Sequence, residues 1–243
     1  MLVLGVHVIA ASLLGLFISL FRPFHPDNTR LCARLYAVPA LRILGLRVQG
    51  DIGLLLNHVR PAVVLANHLS NHDLFVFGPA VPPRTVTLGK QSLKWIPLFG
   101  QLYWLAGNVL IDRGRARKAK EAMVRTTHAL RDEDVSIWVF PEGTRSHGRG
   151  LGSFKKGAFL MAVNAQVPLV IVCANNYVRS LHLNRWHAGN VHLRALPPIP
   201  TAGLTADDVP ALIARCEALM RDCIADLDAA AGTSAAAGER ART

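Results

Sequence analysis

The sequence predicts an α/β fold: a mostly parallel central sheet flanked by helices, preceded by an N-terminal hydrophobic, membrane-associated helical pair. Three observations carry this prediction. From residue 46 onward, short apolar runs recur without polar alternation, as in AVVLA (62–66) and LVIVC (169–173), the texture of strands covered on both faces. Helical patterns separate these runs, and strand–helix alternation builds parallel sheets. Ahead of them, residues 1–21, MLVLGVHVIAASLLGLFISLF, carry no formal charge.

About 20 apolar residues suffice for a helix to cross a bilayer core, and this first segment is that long. A cleaved signal peptide would place basic residues before the apolar stretch. Here Arg22, Arg30, Arg34, Arg42 and Arg47 all follow it. The pattern predicts a retained membrane segment with the rest of the chain on the cytoplasmic face. Residues 28–46 form an amphipathic pattern, with Arg30, Arg34 and Arg42 among leucines. It suits either a helix on a membrane surface or a helix packed on its own domain. Pro39 predicts a kink or break in it.

The expected strands are 46–50, 62–66, 85–88, 108–112, 136–140, 169–173 and 191–196. The expected helices are 72–80, 91–105, 115–131, 155–165 and 206–229. Thr205, with Asp208 three residues on, opens the last helix with a capping-box pattern. The tail, AAAGTSAAAGERART, reads as frayed or disordered. The expected organisation is membrane-associated helices over 1–45, an α/β domain over 46–230 and a disordered tail over 231–243.

Net charge is +11. Beside an apolar N-terminal segment, that surplus points to anionic lipid headgroups or acidic substrates. Nucleic acid is not an expected partner, since no nucleic-acid-binding motif occurs. The four cysteines, at 32, 173, 216 and 223, form no C-x-x-C or Cys/His cluster, so no metal site is expected.

The chemistry-bearing residues follow the apolar runs. ANHLSNHD (66–73) ends one strand with Asn67, His68, His72 and Asp73. A turn followed by a new helix near His72 would return the Asp73 carboxylate to the His68 imidazole, fixing its tautomer and leaving a general base. An Asn/Ser turn with Asp73 as a helix cap explains the same residues without chemistry. GNVLIDRGR (107–115) delivers Asp112 and Arg113. SIWVFPEGTRS (136–146) delivers Glu142, Gly143, Thr144 and Arg145, whose planar donor fork suits phosphate or carboxylate. VPLVIV (167–172) is a strand with no chemistry of its own. A parallel sheet gathers strand ends on one edge, so these groups are expected to share one site. No G-x-S-x-G elbow supplies a protein nucleophile. The attacking group is then a substrate hydroxyl or water.

In order and spacing, these blocks resemble the glycerolipid acyltransferases, specifically the 1-acyl-sn-glycerol-3-phosphate O-acyltransferase family. N-H-x-x-x-x-D is Asn67-His68 through Asp73, G-x-x-x-I-D-R is Gly107 through Arg113, F-P-E-G-T-R-S is Phe140 through Ser146, and V-P-x-V-x-V is Val167 through Val172. The resemblance covers residues 45–200. It implies that His68, oriented by Asp73, deprotonates the 2-hydroxyl of lysophosphatidic acid, which attacks the thioester of acyl-CoA or an acyl-carrier protein and gives phosphatidic acid with no covalent acyl-enzyme. It assigns acceptor binding to Asn67, Arg113, Glu142, Gly143, Thr144 and Arg145, with Arg145 on the phosphate. Lys90, in LGKQSLKWIPLFG, becomes a second phosphate contact. No cofactor is implied beyond the acyl donor as co-substrate. Bacterial members often begin with two helices dipping into one leaflet, an alternative to a full span. His72 is the rival base, placed second by its motif position. Trp95, Tyr103 and Trp104 suit a membrane interface, an acyl channel or ordinary core. Acylation of another lysolipid, a lyso-aminolipid or lysophospholipid, and hydrolysis by the same base acting on water are the rival functions. The sequence assigns no oligomeric state and no acyl-chain length.

Overall fold

The structure, a computed structural model, describes residues 2–56, 60–112, 116–182 and 188–240. Its strands are β1 (Leu46–Asp51), β2 (Val63–Ala66), β3 (Thr85–Lys90), β4 (Val109–Ile111), β5 (Ser136–Val139), β6 (Leu169–Ala174) and β7 (Gly189–Ala195). They form one sheet in the order β1-β7-β6-β2-β5-β3-β4. Every pairing is parallel except β6 with β7. Each strand overlaps an apolar run predicted above, and β2 lies at the centre with all four residues buried.

Alternate residues of a strand face opposite sides of a sheet, and here the two sides meet different helices. Val64, Ala66, Val170 and Val172 join one core layer with Tyr36, Ala40 and Leu44 of α2 (Asn28–Leu44). Val63, Leu65, Leu169 and Ile171 join the other, with Phe159 and Ala162 of α7 (Gly157–Ala165) and Cys216, Met220 and Cys223 of α8 (Val209–Arg240). Double coverage accounts for the uninterrupted apolar texture of the central strands. For α2, the core-helix alternative is the one observed. The helix continues through Pro39, because buried Tyr36 and Ala37 on one side and Ala40 and Leu41 on the other hold both halves on the sheet.

α1 (Leu2–Phe21) precedes α2 and packs on it through small residues, Ala11, Ser12, Gly15 and Ser19, while Leu13, Leu14, Phe17, Leu20 and Phe21 stay exposed. The short helices α3 (Gly53–Leu56) and α4 (Asp73–Val76) flank β2, α5 (Phe99–Leu105) packs against α1, and α6 (Ala116–Asp132) lies between β4 and β5. Two expected helices are divided. Residues 72–80 become α4 and a 3-10 turn at Gly78–Ala80. Residues 91–105 become a 3-10 turn at Gln91–Trp95 and then α5. Pro97 and the left-handed backbone of Leu98 (φ 63°) break the second of these. The Thr205–Asp208 capping box is present. The last helix, α8, runs over Val209–Arg240, and residues 241–243 of the expected tail lie outside the described residues.

Candidate active site

The chain leaves β2 at Ala66, and the next side chain ties two strand ends together. Asn67 is buried, its Nδ2 donating to the Ala174 carbonyl (2.9 Å) and its Oδ1 accepting from the Ala174 N–H (2.8 Å) at the end of β6. Sequence reasoning assigned Asn67 to substrate. In this structure its amide bonds to backbone, where it aligns the exit of β2 beside that of β6.

The turn 68–72 then brings α4 back over the strand end. Asp73 Oδ2 accepts three hydrogen bonds, from His68 Nδ1 (2.5 Å), the Leu69 N–H (2.7 Å) and the Ser70 N–H (3.0 Å). Oδ1 accepts from the hydroxyl of Tyr177 (2.5 Å). The Asp73 side chain is 2% exposed and that of His68 21%. A buried carboxylate facing Nδ1 places the ring proton there and leaves Nε2, on the more exposed ring, as the basic atom. The imidazole also stacks on Phe140, with centroids 4.1 Å apart and planes 16° from parallel. The predicted His68–Asp73 pair is therefore formed, and the capping-only alternative does not describe it.

His72 is not equivalent. Its Nδ1 lies 3.2 Å from Ser70 Oγ, and burial pulls its pKa below the usual histidine value, with Asp73 pulling weakly the other way. Among the described residues no hydroxyl or thiol side chain hydrogen-bonds to His68.

The loop after β5 docks onto this corner by its backbone. The Ser146 N–H donates to the His68 carbonyl (2.8 Å) and the His147 N–H to that of Leu69 (3.0 Å). Glu142 completes the tie. Oε1 accepts from the His68 N–H (2.7 Å) and Oε2 from the Gly152 N–H (2.8 Å). Burial raises the Glu142 pKa, while those two N–H groups pull it down. Like Asn67, Glu142 is buried, and in this structure its carboxylate oxygens meet backbone N–H groups. Gly143 adopts φ +74°, a left-handed conformation in which glycine carries no Cβ penalty. That turn sends Thr144 and Arg145 to the surface.

Lys90 ends β3, next to β5 in the sheet, and is exposed like Arg145. Among the described residues, neither cation makes an ion pair or a side-chain hydrogen bond. The exits of β2, β5 and β3 thus bring His68, Arg145 and Lys90 to one edge. Asp112 follows β4 on the same edge. Arg113 lies outside the described residues.

Comparison with known proteins fits this arrangement. A family model described as Acyltransferase matches residues 53–175, half of the chain. The 1-acyl-sn-glycerol-3-phosphate acyltransferase of Salmonella typhimurium is 40% identical over 228 residues, covering 94% of this chain and 93% of the relative. That of Escherichia coli is 39% identical over 234 residues, covering 96% and 95%. The chain belongs to the 1-acyl-sn-glycerol-3-phosphate acyltransferase family.

The crystal structure of the 1-acyl-sn-glycerophosphate acyltransferase PlsC from Thermotoga maritima shares the fold with a TM-score of 0.71, over 94% of this chain and 96% of that one, at 23% identity. Within this acyltransferase frame, sequence reasoning missed Tyr177. The strand read as having no chemistry, β6, delivers it three residues past its end, 1% exposed and hydrogen-bonded to Asp73. The rule applied to the other strand exits, extended to NNY (175–177), would have found it.

Proposed function

We propose that the chain transfers a fatty acyl group from acyl-CoA or an acyl-carrier protein to the 2-hydroxyl of 1-acyl-sn-glycerol 3-phosphate, giving phosphatidic acid. The observation that carries the mechanism is the Asp73–His68 contact at 2.5 Å, with no hydroxyl or thiol side chain among the described residues hydrogen-bonded to His68. Nε2 of His68 takes the hydroxyl proton as the acceptor oxygen attacks the thioester carbonyl. The tetrahedral intermediate collapses with loss of the thiolate, and the imidazolium returns the proton to sulfur. Asp73 holds the ring orientation and stabilises the imidazolium, and a positioned general base such as His68 is generally worth about 100–10,000-fold in rate. Arg145 and Lys90, without an ion pair among the described residues, supply two cations for the acceptor phosphate, and gripping it turns remote binding into alignment of the hydroxyl. The resemblance adds Arg113 to the acceptor-binding residues of this reading.

The setting proposed is a membrane surface. α1 is 20 residues long with mean hydropathy 2.3, and only 22% of its apolar window is buried. Its small residues face the protein and its large ones face outward, the arrangement of a helix immersed in lipid on its outer side. The catalytic domain is proposed to lie on the cytoplasmic face, a reading supported by the arginines that follow α1.

The test is product analysis. Vesicle-reconstituted protein, lysophosphatidic acid and labelled palmitoyl-CoA should yield labelled phosphatidic acid. Labelled free fatty acid as the main product would make the chain a hydrolase. Product with another lysolipid and none with lysophosphatidic acid would overturn the acceptor.

A further inference from the structure

We propose that the tip Trp95–Ile96 is a second lipid contact, seated in the headgroup layer of an anionic membrane beside α1, from which the phosphorylated acceptor passes to Lys90. This rests on the acceptor reading above. Trp95 is 76% exposed and Ile96 44%. They close the 3-10 turn that begins one residue after Lys90. The tip is rigidly built. Leu98 is held at φ 63°, the Ile96 carbonyl accepts from the Gly100 N–H (2.8 Å), and the Ile96 N–H donates to the Leu93 carbonyl (3.1 Å). A Cβ on Gly100 would stand 2.5 Å from the Leu93 and Lys94 carbonyl oxygens, so only glycine lets the turn fold this tightly over α5.

A fixed turn that presents an indole to water is a poor soluble surface and a good interfacial one, because tryptophan concentrates at headgroup depth. Lys94 Nζ sits 4.6 Å from the centre of the Trp95 ring, placing a cation where lipid phosphates would meet it. α5 packs against both the 3-10 turn of the tip and α1. Leu102 of α5 packs over Gly15 of α1, and exposed Trp104 meets exposed Phe24, which follows α1, edge to face at 5.0 Å. On its other side the tip opens into a cleft lined by Lys90, Lys94, Trp95, Ile111 and Asp112. A lipid phosphate drawn to Lys94 is then at the entrance to Lys90.

The test uses the full chain on vesicles of phosphatidylcholine and phosphatidylglycerol. Trp95 fluorescence, taken as wild type minus Trp95→Phe, should be quenched by lipids brominated near the top of the acyl chain. An Ile96→Asp variant should raise the apparent KM for vesicle-borne acceptor about tenfold and leave kcat/KM unchanged for a short-chain acceptor monomeric in water. Absence of quenching, or an equal loss on both acceptors, overturns the proposal. Quenching is read without turnover, so failure of the tip and failure of the acceptor assignment remain distinguishable.

A different observation carries a second inference. We infer that Tyr177 is a positioning residue that acts through Asp73. Burial and the neighbouring carboxylate push its phenol pKa far up, so it remains a donor. Its bond to Oδ1, backed by Ser70 Oγ at 2.9 Å, leaves Oδ2 as the atom that meets His68. Tyr177→Phe should lower kcat about fivefold to tenfold with KM unchanged, the effect of one lost buried hydrogen bond, and should shift the downfield proton resonance of the His68 Nδ1–H. Added to Asp73→Asn it should cost no further rate. An additive loss in the double variant, or an unmoved resonance, would overturn this.

Discussion

At the carboxyl end of β2, both oxygens of Asp73 are occupied, His68 is stacked and tied by its N–H and carbonyl, and Asn67 and Glu142 have no polar side-chain atom to spare. One and two strands away, at the ends of β5 and β3, Arg145 and Lys90 stand exposed without an ion pair among the described residues. The contrast separates two tasks. A base must be held still relative to the bond it serves, and that takes partners. A phosphate-binding cation must keep its donors for a ligand that arrives later. Variants in the first region should therefore change kcat, and variants in the second should change KM.

The largest expected effect is that of His68→Ala. Losing the base should lower kcat by about 100-fold or more, measured as phosphatidic acid formed at saturating substrates. Asp73→Asn should come next, with kcat down by roughly 100-fold because the amide no longer fixes the Nδ1 proton. Arg145→Ala tests the other region. Removing a charged hydrogen bond of about 1.5–3 kcal/mol should raise KM for the acceptor about 10-fold to 100-fold and spare KM for the donor. A collapse of kcat instead would erase the contrast. Glu142→Gln should behave as the first region does. An amide cannot accept from two backbone N–H groups at both ends, so one buried donor is left unmet at a cost of about 1–3 kcal/mol. The melting temperature should fall and kcat with it, while KM holds.

The smallest effect concerns His72. Its folded pKa is lowered by burial, so the unfolded chain binds more protons as pH falls below the ordinary histidine value of about 6.5. Stability should drop over that window as pH falls towards the lowered folded value. In His72→Gln, that part of the drop should disappear from melting curves taken on either side of it. Activity near neutral pH should change little.

Much of this could be read from the chain because the signals were local. Uninterrupted apolar runs marked the strands, and N-H-x-x-x-x-D spans few enough residues for a turn and a short helix to close it. The role of Glu142 was hidden because its partner, the His68 N–H, is 74 residues away. Asn67 was hidden in the same way by Ala174, 107 residues on. A carboxylate in a loop motif looks like a ligand group until the fold shows which way it points. The division of residues 91–105 into a turn and α5 was partly visible in Pro97, but the left-handed Leu98 was not, since leucine seldom adopts that conformation.

The central claim is direct transfer from donor to acceptor hydroxyl. Intact-protein mass spectrometry after incubation with palmitoyl-CoA alone tests it most directly. The predicted result is an unmodified chain that forms phosphatidic acid once lysophosphatidic acid is added. A palmitoylated chain that loses its acyl group to that acceptor would contradict it and place a covalent intermediate on the pathway.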